Sequence, residues 1–475
     1  MGFISNKIIN GKKYAYEITS TWNKETKKVK KTSKYLGIVD LDGSIVKRKD
    51  RKIKQEQLLI DFGDGFLLNE FIKKSSIYSI MNSKKFASLP ELIPLIIYRI
   101  ITCSAMYNAE IWSEGNVTGL LHKNANLSSQ NISKVLRKLS SERLQRDFFK
   151  EYLAEFCSIS EDSKTEGVII DATSLPNEIN SSFNAWGRSD NTIEKQFRFM
   201  CIVDQFTKKP LFYRFLPGNL VDVSTLQSTI LELKEMGVSS SFVLLDAGYC
   251  SEANILELYN KKIDFLTRLP ADRKLYKQLL RKHIGKIETA SNAIRYNNRT
   301  IFILKAEADL YGQKGYAYIA LDLTRKSKEV DKALTLRSED ETEAELQDKF
   351  DRAGVMMLIS SKDIAQKDVI ETYYTRQTIE QIFGFFKSDL ESLPIRRHND
   401  DTIRGFLFLQ FLALIIYIEF RKCLSCKFTA EQALMIMRNL KGKIFDNNIL
   451  TAELTKKQRE ISSLTNILVP KFCGI

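Results

Sequence analysis

The stretch YYTRQTIEQIFGFFKSDL, residues 373–390, has the apolar spacing of an amphipathic helix and few turn residues. Successive residues of an α-helix are rotated by roughly 100°, which puts four polar side chains on one stripe about 60° wide. These are Tyr373, Arg376, Glu380 and Lys387. The apolar side chains lie beside that stripe, so the helix can dock on a core and expose a polar edge. The ordinary interpretation of such an edge is a solvated face with ion pairs three or four residues apart.

Two further acids each follow a hydrophobic run that predicts a buried strand. GVIID (167–171) ends in Asp171, and SFVLLD (241–246) ends in Asp246. An acid at a strand end often caps the next turn, but the carboxyl edge of a sheet also presents side chains to a crevice. Three converging carboxylates raise one another's pKa, whereas they suit Mg²⁺, which prefers oxygen ligands. We therefore predict that these two acids and Glu380 meet around divalent cations.

A pair of divalent cations would also explain the polar stripe. Two such ions about 4 Å apart activate an attacking oxygen and stabilise a leaving oxygen in phosphodiester transfer. Positive and hydrogen-bonding groups around that centre hold the phosphate backbone. Tyr373, Arg376 and Lys387 supply such groups on the same stripe as Glu380. The pattern therefore predicts phosphoryl transfer on a nucleic acid.

The charge of the chain favours a polyanionic partner. Its 475 residues carry a formal net charge of +14, from 72 Lys and Arg against 58 Asp and Glu. Residues 1–54 hold 15 of these bases and 5 of the acids, a net charge of +10 (15 − 5). Basic stretches such as KKVKKTSK (27–34) and KRKDRKIK (47–54) suit phosphate contacts, which give affinity without sequence choice. A solvated basic tail is the alternative for this feature alone.

Cysteine usage and hydropathy argue against a zinc site and a membrane span. Cys423 and Cys426 form one C-x-x-C among seven cysteines, but only three histidines exist and no second cysteine pair follows,. Without a signal peptide, we expect reduced thiols and a cytoplasmic protein. The apolar run FLFLQFLALIIYI (406–418) is shorter than the ~20 residues that a span needs. It predicts a buried core helix.

Strand and helix patterns divide the chain into five predicted regions. The third region has the order β-β-β-α-β-α-β, which indicates a mixed sheet with flanking helices. In the helical second region, residues 126–143 show a weak helix-turn-helix pattern, for which a plain bundle helix is the alternative. The regions are a basic β-rich segment (1–55), a helical DNA-binding bundle (56–160), the first part of the core (161–271), an inserted β-rich subdomain (272–365), and the second part of the core with the polar-edge helix (366–475).

The polar stripe carries a family signature. Its spacing, Y-x2-R-x3-E-x6-K, matches that of DDE transposases of bacterial insertion sequences, and the chain resembles this family over nearly its whole length. GVIIDATS (167–174) resembles the family's first-Asp strand, and VLLDAGYCSEANI (243–255) resembles its second-Asp strand with the helix that follows. The stretch FLPGNLVDVSTL (215–226) resembles the family's P-G-N-x-x-D-x-x-T-L pattern.

One stretch departs from the family pattern. WGRSDNTIEKQ (186–196) only loosely follows the Gly-Tyr-Ser-Lys/Arg-Asp sequence that related proteins show after the first strand. The resemblance therefore assigns no role to Trp186 or Arg188.

The resemblance implies a mixed α/β fold. Its RNase H-like catalytic core is interrupted by a β-rich insertion and preceded by a DNA-binding region of strands and helices. It also implies two bound Mg²⁺ ions, for which Mn²⁺ can substitute. The implied catalytic and metal-binding residues are Asp171, Asp246 and Glu380, and the implied phosphate-binding residues are Tyr373, Arg376 and Lys387.

The implied activity is transposition by a bacterial or archaeal, nucleoid-associated enzyme. A homodimer would bind the terminal inverted repeats of an insertion sequence in double-stranded DNA, hydrolyse a phosphodiester at each end, and use the freed 3′-OH to attack target DNA. Related enzymes free the second strand through a hairpin, which implies a flipped base stacked on an aromatic side chain. Two alternatives stay open: a catalytically inactive transposase-derived DNA-binding protein, and an RNase H-like metal-dependent nuclease without strand transfer. The intact triad argues against the first.

Overall fold

The structure is a computed structural model of the chain. It describes residues 2–9, 12–23, 27–39, 45–46, 58–102, 104–158, 167–179, 181–189, 192–219, 222–236, 241–338, 340–390, 399–445 and 448–474. The basic stretch 47–54 and the predicted region boundaries after residues 55 and 160 lie outside these residues. The chain divides into two compact units, Met1–Leu59 with Lys443–Asp446, and Ile60–Gly442 with Asn447–Ile475. The finer division into five regions stays a prediction.

The first unit contains an antiparallel meander in the order β1-β2-β3-β4. Its strands are β1 (Gly2–Ile9), β2 (Lys12–Asn23), β3 (Lys28–Val39) and β4 (Ile45–Val46). Aromatic and β-branched residues favour these strands, and they lie in the region 1–55 that was predicted to be β-rich. The sheet carries exposed lysines, namely Lys7, Lys13, Lys28, Lys31 and Lys34.

The second unit begins with the predicted helical region. After β5 (Leu59–Asp61) it contains α1 (Gly63–Lys74), α2 (Tyr78–Met81), α3 (Leu92–Thr102), α4 (Ala109–Glu114), α5 (Val117–Leu121), α6 (Ser129–Leu139) and α7 (Glu142–Ser158). Helix α6 runs unbroken through the middle of residues 126–143 and packs on the long C-terminal core helix. Residues 126–143 thus contain α6, a turn at residues 140 and 141 and the start of α7, and the packing of α6 favours the bundle-helix alternative.

The predicted mixed α/β core with RNase H-like topology is confirmed. Three antiparallel strands lead into two parallel ones, in the spatial order β9-β8-β6-β10-β11. A strand that the sequence did not predict, β7, pairs with the first part of β8. The elements are β6 (Val168–Pro176), β7 (Ala185–Ser189), β8 (Thr192–Asp204), β9 (Pro210–Pro217), α8 (Asp222–Glu235), β10 (Phe242–Leu245), α9 (Glu252–Asn260) and β11 (Asp264–Arg268).

The strands of residues 272–365 continue the core sheet. They pair antiparallel in the order β12-β13-β14-β15-β11, which extends the sheet to ten strands. Two charged helices, α11 and α12, lie between β14 and β15, and a capping box of Thr342 and Glu345 begins α12,. The elements are α10 (Lys274–His283), β12 (Ala293–Tyr296), β13 (Arg299–Asp309), β14 (Lys314–Asp322), α11 (Leu323–Thr335), α12 (Glu343–Arg352) and β15 (Val355–Ser360).

The C-terminal part supplies the helices that cover the sheet. Helix α15 is long and apolar enough to cross a membrane, yet 83% of its most apolar window is buried inside the protein. The predicted buried core helix is thus confirmed. The elements are α13 (Val369–Tyr374), α14 (Gln377–Gly384), a π-helical turn (Phe385–Asp389), α15 (Asp400–Cys423), α16 (Ala430–Arg438), β16 (Lys441–Phe445), β17 (Asn448–Thr451), α17 (Lys456–Leu464) and β18 (Phe472–Gly474).

Helices α15 and α6 approach each other closely at a glycine. A Cβ added to Gly405 would lie 1.8 Å from the carbonyl oxygen of Leu136, which belongs to the backbone of α6.

Five residues further along α15, the Gln410 amide donates a hydrogen bond to the carbonyl of Leu390 (3.1 Å), and the Arg99 guanidinium donates to the same carbonyl. The helical core is therefore linked to the end of the segment that carries Glu380.

We expect His122 to make the stability of the helical region dependent on pH. Its Nε2 lies 2.8 Å from the amide oxygen of Asn69, and burial, reinforced by the charge of Lys73, lowers the pKa of His122 from 6.5 to about 4. Between these values the unfolded chain binds a proton that the folded chain does not. Stability is therefore lost as the pH falls, by about 2 kcal/mol from about pH 7.5 to about pH 5.

Urea unfolding at both pH values checks this prediction with His122→Gln, which keeps an amide donor for Asn69. The pH dependence of the unfolding free energy should be smaller in the variant by that amount. An equal pH dependence in both proteins would contradict the prediction.

Candidate active site

Asp171 and Asp246 lie side by side where the parallel part of the sheet ends. Leu245 of β10 pairs with Ile170 of β6, and the acid is the next residue on each strand. Strand β10 stops at Leu245, whereas β6 continues to Pro176 along β8. The prediction that this strand ends at Asp171 is wrong, because antiparallel pairing with β8 extends β6 past the acid.

Glu380 comes from α14, which follows a break in the predicted helix. Residues 373–390 were predicted as one helix, but α13 ends at Tyr374 and α14 begins at Gln377. The Thr375 hydroxyl donates to the carbonyl of Thr372 at 2.7 Å, and such back-bonding often bends helices. Tyr373 is only 5% exposed. At this position the polar edge faces the protein and not solvent, so the solvated-face alternative does not hold for Tyr373.

The apolar side of α14 docks the helix on the sheet, as the sequence predicted. Ile379, Ile382 and Phe386 are buried, and the ring of Phe386 stacks on that of Phe199 in β8, with centroids 4.3 Å apart and an interplanar angle of 14°. Because β8 pairs with β6, this contact fixes the helix with Glu380 over the strand with Asp171.

The three predicted acids converge on the guanidinium of Arg376. Nη1 donates to Oδ2 of Asp171 at 2.8 Å and lies 3.4 Å from Oδ1 of Asp246. Nη2 donates to Oε1 of Glu380 at 2.7 Å. The Arg376 side chain is 17% exposed. The structure therefore brings both aspartates, Glu380 and Arg376 into a single cluster.

The cluster keeps its arginine and its tyrosine protonated. Burial lowers the pKa of Arg376, but the charges of Asp246 and Asp171 outweigh burial and raise it above its ordinary value. Burial raises the pKa of Tyr373 to about 12; Asp246 adds to the rise and Arg376 opposes it. Tyr373 is therefore a neutral phenol at physiological pH, and its ring centre lies 6.0 Å from the guanidinium carbon of Arg376.

Lys387 lies in the π-helical turn that follows α14. It is partly buried, and its backbone is seven residues beyond Glu380, about 10 Å along a helix axis. Single π-helical turns in α-helical segments are frequent at functional sites. Lys387, the last residue of the Y-R-E-K signature, therefore lies shortly before Leu390. The carbonyl of Leu390 accepts hydrogen bonds from Gln410 and Arg99.

The donor set of the cluster suits a hard divalent cation. All three acids offer carboxylate oxygens, the ligands that Mg²⁺ prefers. In the described part of the chain, no three His, Cys, Asp or Glu side chains close around a common ion position. At this cluster the reason is visible, since the carboxylates close on a guanidinium. The chemistry of the acids therefore fits such an ion, and in this structure the positive charge among them is that of Arg376.

Arg268 is a basic residue of the site that the sequence analysis missed. Thr267 of β11 pairs with Leu245 of β10, so Arg268 follows on the same face and in the same row as Asp246. The Thr267 hydroxyl donates to the carbonyl of Asp246 at 3.2 Å. The sequence did carry a signal for Arg268. The run IDFLTRL (263–269) predicts a strand that ends in a base, at the same edge of the sheet as the two predicted acids.

Trp186 is distant from the three acids of its own chain. It pairs with Lys195 at one end of β8, whereas Asp171 pairs with Cys201, six residues along the strand. That separation is about 20 Å. The indole is 63% exposed, and the ammonium of Lys195 lies 5.9 Å from its ring centre.

Comparisons with known proteins give one family match and a similar solved structure. A family model described as a transposase DDE domain matches residues 162–416, more than half of the chain, and this range includes all three acids. Among solved structures, a cryo-EM structure of a piggyBac transposase synaptic complex with hairpin DNA is similar at a TM-score of 0.39 and 12% identity. The match covers 85% of this chain and 81% of that chain. A comparison with curated protein sequences found no match.

Proposed function

The chain belongs to the family of transposases with a DDE domain, and we propose that it cleaves the ends of an insertion sequence and joins the freed 3′ ends to target DNA. One observation carries the proposal: Asp171, Asp246 and Glu380 converge on Arg376. Arg376 is 205 residues from Asp171 in the chain, so ordinary pairing along a solvated helix does not explain the contact.

Asp171, Asp246 and Glu380 would hold divalent cations, Mg²⁺ first and Mn²⁺ as a substitute. When bound, such ions supply activation of the attacking oxygen and stabilisation of the leaving oxygen in both hydrolysis and strand transfer. The carboxylates come from a strand, a strand end and a docked helix, which are rigid elements. Rigid placement is what phosphoryl transfer requires of a protein, because positioning and electrostatics supply most of its catalysis.

The basic and phenolic groups of the site would hold the DNA backbone. Arg268 stands in the row of the two aspartates, and Lys387 lies at the end of the helical segment. Both would contact phosphates beside the scissile bond, as would Arg376 once it leaves the acids. Tyr373, which remains a neutral phenol, can donate a hydrogen bond to a phosphate oxygen.

Terminal repeats would be bound by the regions that precede the core. The exposed lysines of the N-terminal sheet suit phosphate contacts,. Helices α6 and α7 add further exposed bases, namely Lys134, Lys138, Arg143, Arg146 and Lys150. Two ends must be processed together in transposition, so we propose a homodimer on DNA.

A joining assay tests the function. A duplex with the element's terminal repeat and a pre-cleaved 3′-OH is incubated with a supercoiled target plasmid and Mg²⁺, and joined product is quantified on a gel. We expect joined product with the unmodified chain and none with Asp171→Asn. The control variant Asp331→Asn, which changes an exposed aspartate on α11, should join ends normally.

The outcomes separate the alternatives. Hydrolysis of an uncut end without any joined product would favour a metal-dependent nuclease. Specific binding of the repeat without either reaction would favour an inactive transposase-derived DNA-binding protein.

A further inference from the structure

Arg376 occupies the centre of the three acids. A guanidinium presents five N–H donors in a fixed plane, and both terminal nitrogens of Arg376 are engaged, Nη1 with the two aspartates and Nη2 with Glu380. Its side chain is 17% exposed, whereas that of Glu380 is 53% exposed. The guanidinium is therefore more buried than Asp246 and Glu380 and lies beside Asp171, whose side chain is 12% exposed.

We propose that Arg376 is a positioning residue that holds the three acids together in the DNA-free protein, and that divalent cations must displace it from them. The inference rests on the proposed function and adds to it an internal competitor for the ion. Signature arginines were expected only to grip phosphates, so this role toward the acids is additional.

The charges of the cluster require such a residue. Three carboxylates at this separation repel one another, and Arg376 leaves the cluster with a formal charge of −2 instead of −3. The acids can then stay assembled before any ion or DNA arrives. A divalent cation on these carboxylates would lie close to the guanidinium and repel it, so the two cations compete for the same three acids.

Arg376 has to move because it cannot lose its charge. A guanidinium is not deprotonated in proteins. Its backbone lies in the break between α13 and α14, where the helix is interrupted. A DNA phosphate beside the site offers the bidentate partner that guanidinium groups prefer.

It follows that DNA and metal should favour each other's binding. A phosphate that attracts Arg376 frees the acids for the ion, and an ion on the acids frees Arg376 for the phosphate. Coupling of this kind is reciprocal. The device would keep the centre poorly loaded with metal until DNA is present.

Binding of Mn²⁺ to the DNA-free full-length protein tests the inference. Loss of the electron paramagnetic resonance signal of free Mn²⁺ measures the affinity without any reaction. We expect Arg376→Gln to bind Mn²⁺ about 5- to 150-fold more tightly than the unmodified protein, the range typical of coupled sites. Arg376→Lys keeps the charge but not the forked donors, and should fall between the two.

Matched variants make the result specific. Arg299→Gln removes an exposed arginine that pairs with Asp322 at 3.1 Å and should leave Mn²⁺ affinity unchanged. Asp171→Asn should abolish the tight binding in the Arg376→Gln background. A circular dichroism spectrum and a thermal midpoint confirm that each variant is folded; in the presence of EDTA, Arg376→Gln should melt lower and recover with Mn²⁺.

Two failures are distinguishable. Mn²⁺ affinity that is equal or weaker in Arg376→Gln, with binding that still depends on Asp171, would overturn the inference and leave the proposed function standing. Binding that does not depend on Asp171 in any background would overturn the metal site of the proposed function, and the inference with it.

Discussion

Replacing Glu380 with alanine should lower the rate of DNA cleavage roughly a thousandfold or more, while DNA binding is retained. The variant removes one of three oxygen-donor groups proposed to hold the ions, and Arg376 keeps its contacts with Asp171 and Asp246. In the absence of divalent cations, loss of a negative charge does not weaken attraction to phosphates, so binding is compared in EDTA. Gel-based cleavage of a labelled terminal repeat and a binding titration at fixed salt measure the two effects separately.

Glu371→Ala is the matched control for this experiment. Glu371 is an exposed glutamate on α13, the helix directly before the break, and the substitution is chemically the same. Cleavage should be normal in this variant. Mg²⁺-dependent cleavage that persists in Glu380→Ala would contradict the assignment of Glu380, whereas loss of cleavage in both variants would indicate damage to the helical segment instead.

Replacing Gly405 with alanine should destabilise the protein by about 3 kcal/mol or more, at the upper end of overpacking effects. The added Cβ would lie 1.8 Å from the carbonyl oxygen of Leu136, and a backbone atom in a helix cannot move aside alone. Helices α6 and α15 would have to separate. Because Gln410 on α15 holds the carbonyl of Leu390, we also expect cleavage activity to fall.

Gly384→Ala is the control for the glycine prediction. Gly384 is exposed on α14, and a Cβ there meets no atom within 4 Å. Alanine in place of glycine in a helix stabilises by roughly 0.5–1 kcal/mol, so the apparent midpoint of thermal unfolding should rise slightly. A midpoint for Gly405→Ala equal to that of the unmodified protein would contradict the close approach of the two helices.

Much of the core was predictable because its signals are local. Strand β10 was predicted from a short apolar run that ends in Asp246, and the structure ends the strand at Leu245. The apolar flank of α14 followed from helical spacing, and Ile379, Ile382 and Phe386 are buried as predicted. Such patterns depend on residues only a few positions apart, so the chain carries them without knowledge of its neighbours.

Other features depend on which elements meet. Strand β6 continues past Asp171 only because β8 pairs along it, and residues 185–189 form β7 only because they find an edge of β8. Residues 373–390 were predicted as one helix, but α13 ends at Tyr374 and α14 begins at Gln377. Arg268 joins the site through the register of β11 on β10.

Residue type and short-range spacing were enough to predict most strands and helices, and to single out three acids and the class of chemistry that they suit. The contact of all three acids with one guanidinium depends instead on how distant elements pack. Arg376 and Asp171 are 205 residues apart in the chain, and a contact over that distance is set by strand register and helix docking, which no local pattern encodes.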